Sequence, residues 1–100
     1  MKEIGIDIET YSSSDLAECG VYKYAEADDF AVLLFSYTID GGSVWTVDLA
    51  QGEEIPADVL EALTSPRVIK TAYNAAFERV CLSRYLGADG YLPPEQWRCT

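Results

Sequence analysis

The stretch EIGIDIE, residues 3–9, decides the fold of this 100-residue chain. Isoleucines at every second position alternate with polar residues and glycine, which is the period of a β-strand with one buried face. Asp7 and Glu9 therefore leave the same face, with starting points about 6.6 Å apart. Carboxylates this close repel each other unless solvent or a cation compensates, and Mg²⁺ and Mn²⁺ prefer oxygen ligands. The strand alone leaves two interpretations open, a divalent-metal site and solvated acids on an exposed edge.

The segments after this strand predict an α/β fold. In chain order they are an irregular segment with room for a short helical turn from Ser14 and a break at Gly20 (10–29), a strand (30–39), a hairpin turn (40–43), its return strand (43–49), a helix (56–66), a strand (68–73) and a helix (75–86). This order predicts a mixed sheet in which a three-strand antiparallel meander joins a parallel strand. No linker divides residues 1–100, so we expect a single domain.

The helix over 75–86 carries a second group of candidate residues. Asn74 is suited to cap this helix and Gly87 to end it. Because the preceding strand is inferred to be parallel to the first, the helix begins at the same sheet edge as Glu9, and Glu78 can approach Asp7. The alternative is that Asn74 only caps the helix and Glu78 only interacts with its positive end. The residues predicted for the core face of the helix are Phe77, Val80, Cys81 and Tyr85.

Composition limits the possible chemistry. The chain has 17 acidic and 7 basic residues and a net charge of −10, so bulk attraction to phosphate is not expected to drive nucleic-acid binding. The absence of histidine excludes Ser-His-Asp and Cys-His catalysis and His-ligated zinc. The longest apolar run, 30–35, is too short for a membrane span, and the acidic N-terminus does not match a signal peptide. We expect a soluble, cytoplasmic protein with no membrane partner.

The three cysteines, Cys19, Cys81 and Cys99, are widely spaced and form no CxxC pair. This excludes a zinc ribbon and a thioredoxin-type redox site, and it predicts free thiols in a reducing compartment. Cys81 is expected to pack in the core.

Two motifs resemble a known family. GIDIET at 5–10 resembles the first motif (D-x-E-T) of the DEDD 3′–5′ exonucleases, and YNAAFE at 73–78 resembles their second motif (N-x-x-F/Y-D). The run from DIETYSS through GVYKYAEADDF to LLFSYTIDGG is similar to the N-terminus of phage and prophage family A DNA polymerases, where the proofreading domain begins. The resemblance covers essentially the whole chain. It implies a ribonuclease H-like fold, two-metal hydrolysis with Mg²⁺ or Mn²⁺, a single-stranded DNA 3′ end as substrate and the rest of a polymerase chain as partner.

The resemblance also implies roles for the carboxylates. Asp7 would bridge both metal ions, and Glu9 would help to hold the ion that activates water. Glu78 would take the place of the second-motif Asp, in the shell of the other ion. Because Glu is one methylene longer than Asp, this position departs from the family pattern.

The same resemblance places Thr10 beside the primer terminus and Asn74 and Phe77 in the strand-binding groove. The third motif, a Tyr followed by the fourth carboxylate, is missing, since Tyr91 is the only tyrosine after the second-motif helix and Glu95 is the only acid after Tyr91. We therefore expect the N-terminal part of a longer protein, inactive by itself and prone to form homo-oligomers.

A different class of function stays open on the sequence. Residues 1–66 have a net charge of −12, which suits a small acidic interaction module or a nucleic-acid mimic without catalysis. That alternative predicts acids spread over one exposed face. The exonuclease interpretation predicts that Asp7, Glu9 and Glu78 converge. A stand-alone DEDD nuclease would differ only in the sequence after residue 100.

Overall fold

The computed structural model describes residues 1–87 and 92–100, except for the side chains of residues 18 and 19. Within these residues the strands are β1 (Glu3–Tyr11), β2 (Ala31–Ile39), β3 (Trp45–Asp48), β4 (Ile69–Ala72) and β5 (Trp97–Cys99). The helices are α1 (Leu16–Glu26), α2 (Ala57–Thr64) and α3 (Ala75–Leu86), with short 3₁₀ helices at Leu49–Gln51 and Pro94–Gln96. The expectations for Cys19 and Tyr91 fall outside the described residues.

The strands form one sheet in the order β3-β2-β1-β4-β5. Strand β2 pairs antiparallel with both β1 and β3, whereas β4 pairs parallel with both β1 and β5. The predicted meander and its parallel neighbour are therefore confirmed. Strand β5 was not predicted, because three residues are too few to show a strand period in the sequence.

Strand β1 lies at the centre of the sheet, and its alternation separates two unlike faces. Ile4, Ile6 and Ile8 are buried on the face that we call the core face, where Tyr37 and Phe35 of β2 lie opposite Ile6 and Ile8. This face belongs to an apolar core that also contains the buried residues of α2 and α3. Burial of these side chains provides the main favourable free energy of folding.

The opposite face of the sheet, which we call the open face, carries Asp7, Glu9, Ser36 and Thr38, and none of these four side chains is buried. Gly5 lies on the same face. A Cβ atom at Gly5 would be 2.6 Å from the Thr38 Oγ1 atom, so a larger residue would force the Thr38 side chain to move. The glycine of the GIDIET motif therefore leaves room for the Thr38 side chain on the open face.

Residues 10–29 contain more regular structure than the sequence predicts. Helix α1 begins after Asp15, whose side chain accepts a hydrogen bond of 2.9 Å from the Ala17 N–H. The predicted break at Gly20 is confirmed, since φ is 78° and ψ is 169° there. The kink divides α1 into two short arms, and neither arm is long enough to show a helical apolar period.

A buried lysine connects α2 to the sheet. Lys70 of β4 is 2% exposed, and its ammonium group donates a 2.5 Å hydrogen bond to the Ser65 carbonyl at the end of α2. Burial lowers the pKa of Lys70. The positive charge lies where the helix C-terminus carries partial negative charge, which partly offsets the cost of burying it.

Helix α3 begins after Asn74 and ends at Gly87, in the left-handed conformation at φ 68°, as predicted. The prediction that Tyr85 belongs to the core face was wrong, because this side chain is 41% exposed. The buried residues of α3 instead include Leu82 and Ser83, whereas residues 84–86 are not buried. In the described part of the chain, no helix is long and apolar enough to cross a membrane.

We predict that Gly20→Ala destabilises the chain by about 1–3 kcal/mol, because the backbone region around φ 78°, ψ 169° is essentially restricted to glycine. Gly52→Ala is the matched control, since Gly52 at φ 89°, ψ 8° is closer to the left-handed region that other residues can enter at lower cost. Urea unfolding of the wild type and both variants measures the loss in free energy of unfolding. An equal loss in Gly20→Ala and Gly52→Ala would contradict the assigned strain at Gly20.

Candidate functional site

Strand β1 continues beyond its parallel neighbour, and this leaves one of its edges open. The pairing with β4 ends where Gly5 faces Thr71, whereas β1 runs on to Tyr11. Strand β4 ends at Ala72, and the chain turns directly into α3. The first turns of α3 therefore lie at the carboxyl end of the sheet, near the part of β1 that carries Asp7, as the sequence predicts.

Glu78 is a buried carboxylate in the first turn of α3. Its side chain is 6% exposed, and its Oε2 atom has no hydrogen-bond partner within residues 1–87 and 92–100. Burial raises the pKa of Glu78, the hydrogen bond from its own backbone N–H opposes this shift, and the negative charge of Asp7 reinforces it. Because an ionised carboxylate with one unsatisfied oxygen costs free energy in the interior, Glu78 is a group that a nearby cation would stabilise.

Asp7 and Glu9 are both exposed on the open face. A groove of about 280 Å³ runs beside Asp7 on this face. Its lining consists mainly of small and hydroxyl-bearing residues, and the full set is Gly5, Ile6, Asp7, Ser36, Tyr37, Thr38 and Val44. Solvent and ligands can therefore reach the first-motif carboxylates directly.

The structure brings Asp7 close enough to Glu78 for its charge to act on the pKa of Glu78. Within residues 1–87 and 92–100, side chains of the metal-binding types form no group of three or more that could hold a metal ion. The oxygen donors and the unpartnered Oε2 atom suit a hard divalent cation. Joint coordination by Asp7, Glu9 and Glu78 stays a prediction.

Cys81, one turn after Glu78, lies in the core as predicted, fully buried. Burial and the charge of Glu78 raise the pKa of the Cys81 thiol to about 12, so this thiol stays protonated at neutral pH. Cys81 and Cys99 are both free, in agreement with the sequence expectation.

Thr10 lies at an irregularity of the sheet. Glu9 pairs with Leu34 and Thr10 with Val32, so Leu33 is an extra residue in β2 and forms a β-bulge. Bulges bend a strand and redirect side chains next to functional sites. The Thr10 hydroxyl shares a 2.8 Å hydrogen bond with the hydroxyl of Tyr24 on α1.

Phe77 is half-buried and contacts the same tyrosine. The ring centroids of Phe77 and Tyr24 are 6.0 Å apart, with the ring planes tilted by 43°. Sequence reasoning missed Tyr24 as a site residue, because its position depends on the kinked helix α1. The two tyrosines in GVYKYAE, Tyr22 and Tyr24, were the available signal. Their spacing does not show which other residues they contact.

Asn74 is exposed at the N-cap position of α3. Its backbone carbonyl accepts hydrogen bonds from the N–H groups of Phe77 at 3.0 Å and Glu78 at 3.2 Å. The prediction of a side-chain cap was wrong, since the side chain makes no capping hydrogen bond. The carbonyl already satisfies the N–H group that the side chain would have bound.

The whole chain is 56% identical in sequence to a stretch of the DNA polymerase of Bacillus phage SP02. The chain is homologous to part of a phage DNA polymerase. It spans 15% of that relative's length, and no protein-family model matches it. The resemblance to phage DNA polymerases that the motifs indicated is therefore confirmed.

Two solved structures of Brucella melitensis NrnC, one of them with bound Mg²⁺, share the fold of this chain. Each gives a TM-score of 0.63 at 14% sequence identity over 98% of this chain. The matched region is 40% of one NrnC chain and 41% of the Mg²⁺-bound one. At this identity the likeness concerns the fold alone, and it confirms the ribonuclease H-like α/β class.

We predict that Glu78→Gln raises the stability of the metal-free chain at pH 7 by about 1 kcal/mol, because it removes a buried charge that lies close to the charge of Asp7. The folded-state pKa of Glu78 lies above the ordinary 4.5, so the wild type loses stability as pH rises through that window and the Gln variant does not. Thermal unfolding between pH 4 and 8 measures the difference in stability between Glu78→Gln and the wild type, which should become smaller toward low pH. A difference that does not change with pH would contradict the assigned pKa shift.

Proposed function

We propose that this chain is the first part of the 3′–5′ proofreading exonuclease domain of a phage-type DNA polymerase. Its substrate would be the 3′ end of single-stranded DNA, and the rest of the polymerase would be its partner. The observation that carries this proposal is the 56% identity to a phage DNA polymerase over all 100 residues. The Mg²⁺-bound structure with the same fold supports a divalent metal as cofactor.

In this proposal Asp7, Glu9 and Glu78 hold Mg²⁺ or Mn²⁺ at the open edge of β1. When bound, the ions supply Lewis-acid chemistry at the terminal phosphodiester. Asp7 and Glu9 contribute exposed carboxylates, and Glu78 contributes an oxygen that has no hydrogen-bond partner in the described part of the chain. A cation there would offset both the burial of Glu78 and its repulsion by Asp7, so that Glu78 stays ionised.

The remaining motif residues would seat the DNA strand. Asn74 is exposed at the start of α3, next to Tyr73, which is 88% exposed, so both can contact a nucleotide. Thr10 and Phe77 would shape the strand-binding groove that the family resemblance implies. Because the chain carries a net charge of −10, affinity would come from the metal, hydrogen bonds and base stacking rather than from bulk charge.

The isolated chain would have two further properties. The fourth carboxylate and its tyrosine would come from sequence beyond residue 100, so the chain alone would be inactive. Exposed apolar side chains, among them Val44 and Trp45, would promote self-association of the isolated chain.

We predict that Mn²⁺ binds the 100-residue chain weakly and that Asp7→Ala abolishes this binding. An incomplete carboxylate set holds a hard ion loosely. The control is Asp58→Ala, which removes an exposed carboxylate from α2 and should leave Mn²⁺ binding unchanged. Water-proton relaxation in a Mn²⁺ titration measures the affinity. Equal binding by the wild type and Asp7→Ala would contradict the metal assignment and favour the acidic interaction module.

We predict that the isolated chain releases no nucleotides from 3′-labelled single-stranded DNA, whereas a chimera does. In the chimera, these 100 residues replace the matching segment of the Bacillus phage SP02 polymerase. Asp7→Ala in the chimera should reduce nucleotide release at least ~10²–10³-fold, the usual cost of losing one charge-stabilising group. Robust release by the isolated chain, or a fully active Asp7→Ala chimera, would contradict the proposal.

A further inference from the structure

We propose that Tyr24 is a positioning residue that holds the two exonuclease motifs in fixed relation to each other. The inference rests on the proposed function. Tyr24 belongs to neither motif, and it lies on α1, between β1 and β2 in the chain. It would act on the substrate through Thr10 and Phe77.

The contacts of Tyr24 reach both motifs through different parts of its side chain. Its hydroxyl group forms the 2.8 Å hydrogen bond with the Thr10 hydroxyl, in the first motif. Its ring contacts Phe77, in the second motif, at a centroid distance of 6.0 Å. Phe30 packs against the ring in an edge-on arrangement, also at 6.0 Å. One side chain therefore connects the end of β1 with the first turn of α3.

The backbone of Tyr24 is also fixed to the segment that follows β1. The Ser12 hydroxyl donates a 2.8 Å hydrogen bond to the Tyr24 carbonyl. The glycine-specific kink at Gly20 sets the direction of the arm of α1 that carries Tyr24. These constraints leave the ring little freedom, and a fixed ring can transmit its position to its neighbours.

The residues that Tyr24 contacts are the immediate neighbours of candidate metal ligands. Thr10 follows Glu9, and Phe77 precedes Glu78. Loss of the Tyr24 hydroxyl would free the Thr10 side chain to rotate while the ring still supports Phe77. The expected consequence is weaker seating of the DNA 3′ end, because small displacements in a positioning group reduce productive binding.

The experiment compares Tyr24→Phe, Thr10→Val and the double variant in the SP02 chimera. Both single variants should raise the KM for single-stranded DNA about 5- to 10-fold, the effect of one hydrogen bond, with kcat changed less than about 2-fold. The double variant should raise KM no further, because both changes remove the same hydrogen bond. Tyr24→Leu, which also removes the ring, should reduce kcat as well.

Tyr85→Phe serves as the control, because it removes a hydroxyl from an exposed tyrosine on α3 and should change neither parameter. An unchanged KM in Tyr24→Phe, additive effects in the double variant, or a lower melting temperature with normal kinetics would overturn the positioning role. A wild-type chimera that releases no nucleotides would instead overturn the proposed function, and the inference with it.

Discussion

The site depends on one constraint in the sheet, which is that β1 extends beyond the residues that pair with β4. The parallel ladder stops at Gly5 and Thr71, and from there to Tyr11 β1 pairs with β2 alone. Because the chain turns into α3 directly after β4, the helix begins at the free edge of β1. In α/β sheets, ligands bind at the carboxyl ends of strands where the connections diverge. The candidate site follows from the lengths of two adjacent strands.

The electrostatics of the site are unfavourable without a ligand. Glu78 enters the interior with one oxygen unpartnered, and Asp7 adds a like charge nearby. A fold selected only for stability would place an apolar residue at this position of α3. Retaining an unsatisfied carboxylate beside an exposed one is the pattern expected of a binding site whose cation is supplied from solution.

Much of this arrangement could be predicted from local patterns. The alternation in EIGIDIE placed Asp7 and Glu9 on one face, and the Asn74 and Gly87 signals bounded α3. The sequence could not show that Glu78 is buried, because burial depends on which side of α3 meets the core. It also missed Tyr24 and β5, since a kinked helix and a three-residue strand carry too few residues for a period. Local periodicity therefore predicted the elements, while tertiary packing decided which side chains meet.

The charge of Asp7 acts on Glu78, which lies 71 positions later in the sequence, at the open edge of β1. The most direct test of this interaction is a ¹³C-carboxyl NMR titration of Glu78 in the wild-type chain and in Asp7→Asn. We expect a pKa for Glu78 above its ordinary value in the wild type and a lower one in Asp7→Asn, because burial remains while the like charge is removed. A Glu78 pKa that is the same in both proteins would contradict the interaction between Asp7 and Glu78.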